Sequence, residues 1–335
     1  VIEFIFGYFW IVVLLFVAGL VLTALPPPKR QKPRDVFNFA ALKLRRVETP
    51  APPLDRYAAR DGEELAYRLY DSTSDSVLIF LHGSSYHGGG YHALASAISG
   101  AGVAQVILPN LRGHYMSGQR RGDVDYIGQL EVDIVDLIEA LARKGIAGSI
   151  TLGGHSSGGG LVLRFAGGSH NVLVSRFLAL APVIPNTPAI RENSGGWTSF
   201  HVARLYGLMI LNFFQIKEFN ALPIIQFNKP AEFWDGTETL SYSHRLNASF
   251  LPRYRSAEDV KALDGKALVL VGADDQAINA HALRDIFNAN APNAKFTILP
   301  GVDHFGVFND PVAIDSMIEW LRTPLAAKTK VKSTT

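Results

Sequence analysis

Five consecutive residues carry the clearest chemical signal in this chain, Gly154-His155-Ser156-Ser157-Gly158. They fit G-x-S-x-G, in which a serine occupies a sharp strand-to-helix turn and flanking glycines let strand and helix pass closely. Ser156 is therefore the candidate nucleophile. Ser157 is not, because the residue two before it is His155 and not glycine. The flanks suit the motif: Ser149–Leu152 reads as a buried strand, and Leu161–Ala166 as the start of a packed helix. No lysine follows these glycines and no G-x-G-x-x-G fits, so a phosphate-cradling loop is not indicated.

A serine hydroxyl is too weak an acid to attack unaided and needs a base, itself oriented by a third group. In strand-turn-helix sites the chain order is serine, acid, histidine. His304, in Gly301-Val302-Asp303-His304-Phe305-Gly306, falls in a loop beyond the last expected strand and is taken as the base, whereas His281 falls inside a helical stretch. For the acid, Val271-Gly272-Ala273-Asp274-Asp275 offers two neighbours; Asp275 is preferred and Asp274 is the alternative. A developing oxyanion needs two preorganised amides. These are expected from Ser157 and, after the early strand, from Ser84 in Leu81-His82-Gly83-Ser84-Ser85. The string His87-Gly88-Gly89-Gly90 competes for the second position and is read instead as a flexible rim.

The elements that must position these residues follow from periodicity. Apolar runs at Val77–Leu81, Val103–Leu108, Leu173–Leu180, Ala267–Val271 and Phe296–Leu299 read as strands. Between Asp123 and Lys144, Ile127, Leu130, Ile134, Leu137 and Leu141 recur every three or four positions and predict an amphipathic helix, with Asp133, Asp136 and Glu139 outside the stripe. Further helices are expected near Ala280–Phe287 and Val312–Leu321, and a hairpin about Asp61-Gly62. Strands alternating with helices predict an α/β fold with a mostly parallel sheet and ligands at the carboxyl ends of its strands. One segment, residues 185–254, interrupts the rhythm and is rich in aromatic and aliphatic residues. Within it Leu205–Phe214 is apolar nearly all round, which suits a cap, a pocket lining or a lipid contact.

The chain has 335 residues, no cysteine and a net charge of +2. Thiol catalysis, disulfides and thiolate metal sites are excluded, and no basic stripe recommends nucleic-acid binding. Residues 4–25 carry no charge, and at 1.5 Å per residue a helix of about 22 residues would cross a bilayer core. A retained transmembrane anchor is expected over residues 1–25 rather than a cleaved signal peptide, since no basic region precedes the apolar run. Lys29, Arg30, Lys32 and Arg34 follow it and favour the catalytic body on the cytoplasmic face. Residues 26–55 read as a linker, 56–184 and 255–324 as two parts of one core around the 185–254 insertion, and 325–335 as a tail, disordered from about Lys328.

Taken together, His82-Gly83, Asn110-Leu111-Arg112-Gly113-His114 with Ser117, the turn at Ser156, Gly272–Asp275 and Gly301–His304 resemble the alpha/beta-hydrolase superfamily. Within it they are most similar to the lysophospholipase and monoacylglycerol-lipase-like serine hydrolases. Asn110 stands where that family usually has Asp, and His114-Tyr115-Met116-Ser117 replaces its usual His-Gly-x-Ser. The resemblance implies that the insertion is a helical lid and that the chain cleaves carboxylic esters through an acyl-enzyme. Lipid-like esters such as monoacylglycerols or lysophospholipids are the expected substrates, and no metal or organic cofactor is required. Peptidase or other acyl-transfer chemistry at the same three residues is the alternative, and a non-catalytic membrane-tethered scaffold is the third possibility.

Overall fold

The structure, a computed structural model, describes residues 2–27, 36–44 and 49–323. Helix α1 (Ile2–Ala24) and the short α2 (Phe39–Leu44) precede the body. The body runs β1 (Asp55–Ala58), β2 (Glu64–Tyr70), β3 (Val77–Leu81), α3 (His92–Gly100), β4 (Gln105–Pro109), α4 (Gln129–Arg143), β5 (Ile150–His155), α5 (Ser157–Ala166) and β6 (Arg176–Leu180). An insertion then contributes the single turn α6 (Asn193–Gly196), β7 (Thr198–Phe200), α7 (Val202–Phe213), β8 (Pro223–Phe227), β9 (Ser241–Ser243) and α8 (His244–Phe250). The chain returns through α9 (Ser256–Lys261), β10 (Ala267–Gly272), α10 (Ala280–Asn290), β11 (Lys295–Leu299) and α11 (Pro311–Arg322).

The main sheet has the order β1-β2-β4-β3-β5-β6-β10-β11. β2 pairs antiparallel with both its neighbours, and all other pairings are parallel. Every residue of β3 is buried, as expected of an apolar strand covered on both faces. Two of the covering helices begin where capping chemistry allows: the Asn279 side chain accepts from the Ala282 amide, and Asp310, followed by Pro311 at the first helical position, accepts from Val312. The strands end on one edge, so the loops after β3, β5, β10 and β11 converge there.

Several elements differ from the sequence expectation. α4 starts at Gln129 and not near Asp123, because Gly128 takes φ 102° and turns the chain into the helix there. Asp133 and Asp136 lie outside the apolar stripe but are buried, since each pairs with an arginine, Arg112 and Arg60 respectively. The strand expected from Leu173 begins at Arg176, with a 3-10 turn over Ser169–Leu173. The insertion is not purely helical: β7, β8 and β9 form a second, antiparallel sheet.

The N-terminal part differs most. Among the described residues no helix is long and apolar enough to cross a membrane. The transmembrane anchor expected over residues 1–25 is not supported by this, and α1 packs along one side on α7 of the insertion. The crossing is close because both helices are small there: a Cβ on Gly207 would lie 2.4 Å from Thr23 Oγ1, and one on Gly19 3.0 Å from Ile210. His201 Nε2 donates to the Leu25 carbonyl at 2.9 Å and Arg204 Nε to that of Thr23 at 3.2 Å, which caps the open end of α1. Within the expected 26–55 linker, residues 36–44 pack on the body, with Phe37 buried among core side chains. Lys29, Arg30, Lys32 and Arg34, and the 325–335 tail, lie outside the described residues.

Candidate active site

Ser156 lies between β5 and α5 with φ 56° and ψ −119°, a conformation strained for a residue with a side chain. The turn is held from both sides: the Ser156 amide donates to Leu180 O at 2.9 Å, and the Val183 amide donates to Ser156 O at 3.1 Å. The glycine requirement is steric. A Cβ on Gly154 would stand 2.4 Å from Gly158 O, and one on Gly158 would stand 2.4 Å from Leu81 O. Neither contact is possible, so strand, turn and β3 close on one another only with glycine at both positions.

His304 Nε2 lies 3.1 Å from Ser156 Oγ, and its Nδ1 lies 2.7 Å from Asp275 Oδ2. Asp275 and His304 are both buried. The carboxylate is fixed from behind, since Asp275 Oδ1 accepts from the amides of Ala277 and Ile278 at 2.8 and 2.7 Å. With an acceptor facing Nδ1, the imidazole carries its hydrogen there, and Nε2 is left free to accept the serine proton. The two alternatives separate cleanly: Asp274 is exposed at the turn, and His281 is exposed on α10.

Ser84 and Ser157 come together, their hydroxyls 2.8 Å apart. The preceding Gly83 passes so close to the nucleophile that a Cβ there would be 3.3 Å from Ser156 Cβ. Among the described residues neither the Ser84 nor the Ser157 amide donates to a protein acceptor, which leaves both available to an external oxygen. The His87–Gly90 string is not a loose rim. It is a tight turn whose Gly88 amide donates to Asn110 Oδ1 at 3.0 Å, and a Cβ on Gly88 would meet Leu108 O at 2.8 Å.

Buried polar residues to which the sequence assigned no role brace this arrangement. Tyr91 accepts from the Gly83 amide at 3.0 Å and reaches His155 Nδ1 at 2.9 Å. Tyr242, from the insertion, accepts from the Ser85 amide at 2.7 Å and meets His114 Nε2 at 2.6 Å. His114 Nδ1 faces the Leu111 and Arg112 carbonyls, so it bears the hydrogen and Tyr242 donates to Nε2. His82 is likewise fixed, donating to Gly83 O at 2.8 Å and accepting from the Leu111 amide at 3.0 Å. Burial drives the His82 pKa down to about 4. Burial, reinforced by the neighbouring His304, takes His155 well below the ordinary histidine value, so both rings are neutral parts of the scaffold. The sequence signal for these roles was faint. Tyr91 directly follows the glycine string, and nothing marked Tyr242.

Ser156 and His304 open into a cavity of about 670 Å³. Its lining includes the aromatic and aliphatic side chains Phe37, Phe39, Leu42, Trp197, Phe233 and Phe305 together with Arg68, Tyr86, His87, Lys229 and Asp235, and Lys229 Nζ lies over the Phe39 ring, 5.5 Å from its centroid. Among the described residues no cluster of side chains could hold a metal ion.

Residues 78–315 match the model of a family described as the alpha/beta hydrolase family. A monoacylglycerol lipase of Mycolicibacterium smegmatis is 28% identical over 111 residues, which are 32% of this chain and 39% of that protein. The match thus spans about two fifths of that relative's length. Among solved structures, a soluble variant of monoglyceride lipase from Saccharomyces cerevisiae with a substrate analog superposes with a TM-score of 0.60 at 18% identity, covering 83% of this chain and 97% of that one. The monoacylglycerol lipase of Paleococcus ferrophilus gives 0.56 at 20% identity, over 77% of this chain and 98% of that one. At these identities the superpositions establish a shared fold.

Proposed function

The chain belongs to the alpha/beta hydrolase family, and from that premise we propose that it is a carboxylic ester hydrolase that works through an acyl-enzyme on Ser156. The observation that carries this reading is the 3.1 Å approach of His304 Nε2 to Ser156 Oγ, with Asp275 at 2.7 Å behind the imidazole. Ser156 Oγ attacks the ester carbonyl carbon and its proton passes to His304 Nε2. The carbonyl oxygen gains charge beside the Ser84 and Ser157 amides, while Asp275 stabilises the imidazolium. Collapse breaks the bond to the alcohol, which leaves with the proton from His304. Water, deprotonated by the same nitrogen, then attacks the acyl carbon; the bond to Ser156 Oγ breaks, His304 returns the proton to that oxygen and the carboxylic acid leaves.

The aromatic and aliphatic side chains in the cavity lining favour an acyl chain, and the polar and charged ones favour a hydroxyl-rich or charged alcohol. Monoacylglycerols and lysophospholipids have that division. The names of the relatives point the same way, and the 185–254 insertion would act as a lid over the cavity. A panel of p-nitrophenyl esters from two to sixteen carbons, set against aminoacyl amides, tests the assignment. Turnover that rises with chain length supports it; turnover of acetyl esters alone removes the lipid part, and preference for amides replaces it with peptidase chemistry.

The lipid reading extends to location. Tyr8, Trp10, Leu14, Val17 and Val21 on α1 are exposed, as are Tyr206, Met209 and Phe213 on the α7 helix it packs against. Such a face is costly in water, and the proposal is that it rests on a membrane, with the basic cluster after α1 favouring the cytoplasmic side. Co-sedimentation with vesicles checks this. Protein that stays wholly in the supernatant contradicts it.

A further inference from the structure

The segment before the hydrolase body reaches into the catalytic centre. Phe37 is 3% exposed, and its ring stacks on the His304 imidazole with centroids 4.7 Å apart and planes 21° from parallel. The same ring lies 5.2 Å from Trp197 of the insertion and 5.2 Å from Phe305 of the loop after β11. Two residues on, Phe39 stacks on Phe233 at 5.7 Å and meets Phe305 at 5.1 Å; Leu42 lines the same cavity. All three precede the 78–315 stretch that the family model matches.

We infer that residues 36–42 are a strap that completes this chain's active site, with Phe37 as a positioning residue for His304 and Phe39 and Leu42 as specificity-determining residues of the acyl wall. The inference rests on the esterase reading above. An imidazole that shuttles a proton must keep Nδ1 on Asp275 and Nε2 on Ser156, and a buried ring stacked on its face blocks rotation about its side-chain bonds. The same ring face favours the imidazolium that forms during attack, because the aromatic quadrupole presents negative potential to a stacked cation. Farther along the strap, Phe39 and Leu42 present only hydrocarbon to the cavity, where they would touch an acyl chain beyond the reacting carbon.

The test uses the full chain with three substitutions, each assayed on p-nitrophenyl acetate and dodecanoate and by labelling with a fluorophosphonate. Phe37→Leu keeps apolar volume but removes the ring face. It should lower kcat about tenfold or more on both esters and slow labelling by a similar factor, the scale of loss seen when a catalytic group is displaced slightly. Phe37→Tyr, which keeps the ring, should recover most of that loss. Phe39→Ala should lower the dodecanoate-to-acetate ratio of kcat/KM about tenfold, equivalent to losing contact with roughly two methylene groups. Phe39 is only half-buried, so this variant answers even if Phe37→Leu does not fold. Wild-type kcat and labelling in Phe37→Leu, or an unchanged chain-length ratio in Phe39→Ala, would overturn the strap alone. A wild-type chain that fails to label would overturn the strap together with the esterase reading.

Discussion

His155 Nε2 donates to the main-chain carbonyl of His304 at 3.0 Å, so the residue before the candidate nucleophile holds the backbone of the candidate base. Because Nε2 bears the hydrogen, Nδ1 accepts from the Tyr91 hydroxyl, which itself accepts from the Gly83 amide. One buried chain of hydrogen bonds therefore joins the loop after β3, the turn after β5 and the loop after β11. Phe replacing Tyr91 would leave a buried amide without its acceptor and a ring nitrogen without its donor. The expected result for Tyr91→Phe is a stability loss of about 1–3 kcal/mol by denaturant titration and a kcat drop of about tenfold. Full activity with normal stability would show that the chain of bonds does not position the site.

Asp275 accepts three hydrogen bonds, one from His304 and two from backbone amides. In Asp275→Asn the amide nitrogen would oppose His304 Nδ1–H, and the imidazole would turn to its other tautomer. Because Nε2 would then carry hydrogen, kcat should fall about 10⁴-fold while substrate KM changes little. An effect confined to KM would remove Asp275 from the proton-shuttle account.

The buried histidines make an acid-sensitive fold. His82 is driven down to about 4 and His87 to about 3, both chiefly by burial, from an ordinary value of 6.5. The unfolded chain therefore binds protons that the fold refuses, and stability falls as pH drops through 6.5 toward 4. Each such histidine contributes a slope of about 1.4 kcal/mol per pH unit in that window. His155 and His114 are displaced in the same direction by burial. Asp133, raised to about 6 by burial, opposes one of them below that value. Denaturant midpoints should decline steadily between pH 6.5 and 4.5, and a flat profile across that range would contradict the burial argument.

The close crossing of α1 and α7 gives a separate test. Gly207 has Thr23 N at 2.6 Å and Gly19 O at 2.8 Å from where a Cβ would stand. Gly207→Leu should force the two helices apart and speed protease cleavage between residues 25 and 36. Cleavage at the wild-type rate would mean that α1 does not depend on this contact.

How much of this was legible beforehand divides along physical lines. The strands and the residues at Ser156, Asp275 and His304 were readable because fully buried strands must be apolar and a strained turn must be flanked by glycine; both constraints act locally. Asp275 also had a local mark, its place three residues past the turn glycine Gly272, and in the structure it is the buried one of the pair. Tyr91, Tyr242 and Phe37 were not readable, because each acts on a partner distant in the chain and no short spacing encodes that. The burial of Asp133 and Asp136 was hidden for the same reason, their arginine partners lying on other elements. For α1, an apolar run long enough for a bilayer is equally compatible with packing on an apolar helix, and composition does not separate the two.

The central claim is that the Ser156 hydroxyl is activated by His304. Its most direct test is to react the folded protein with a fluorophosphonate and locate the adduct by peptide mass spectrometry. The account predicts one adduct per chain, on Ser156, lost in Ser156→Ala and slowed at least about a hundredfold in His304→Ala. Labelling elsewhere, or at the same rate without His304, would contradict it.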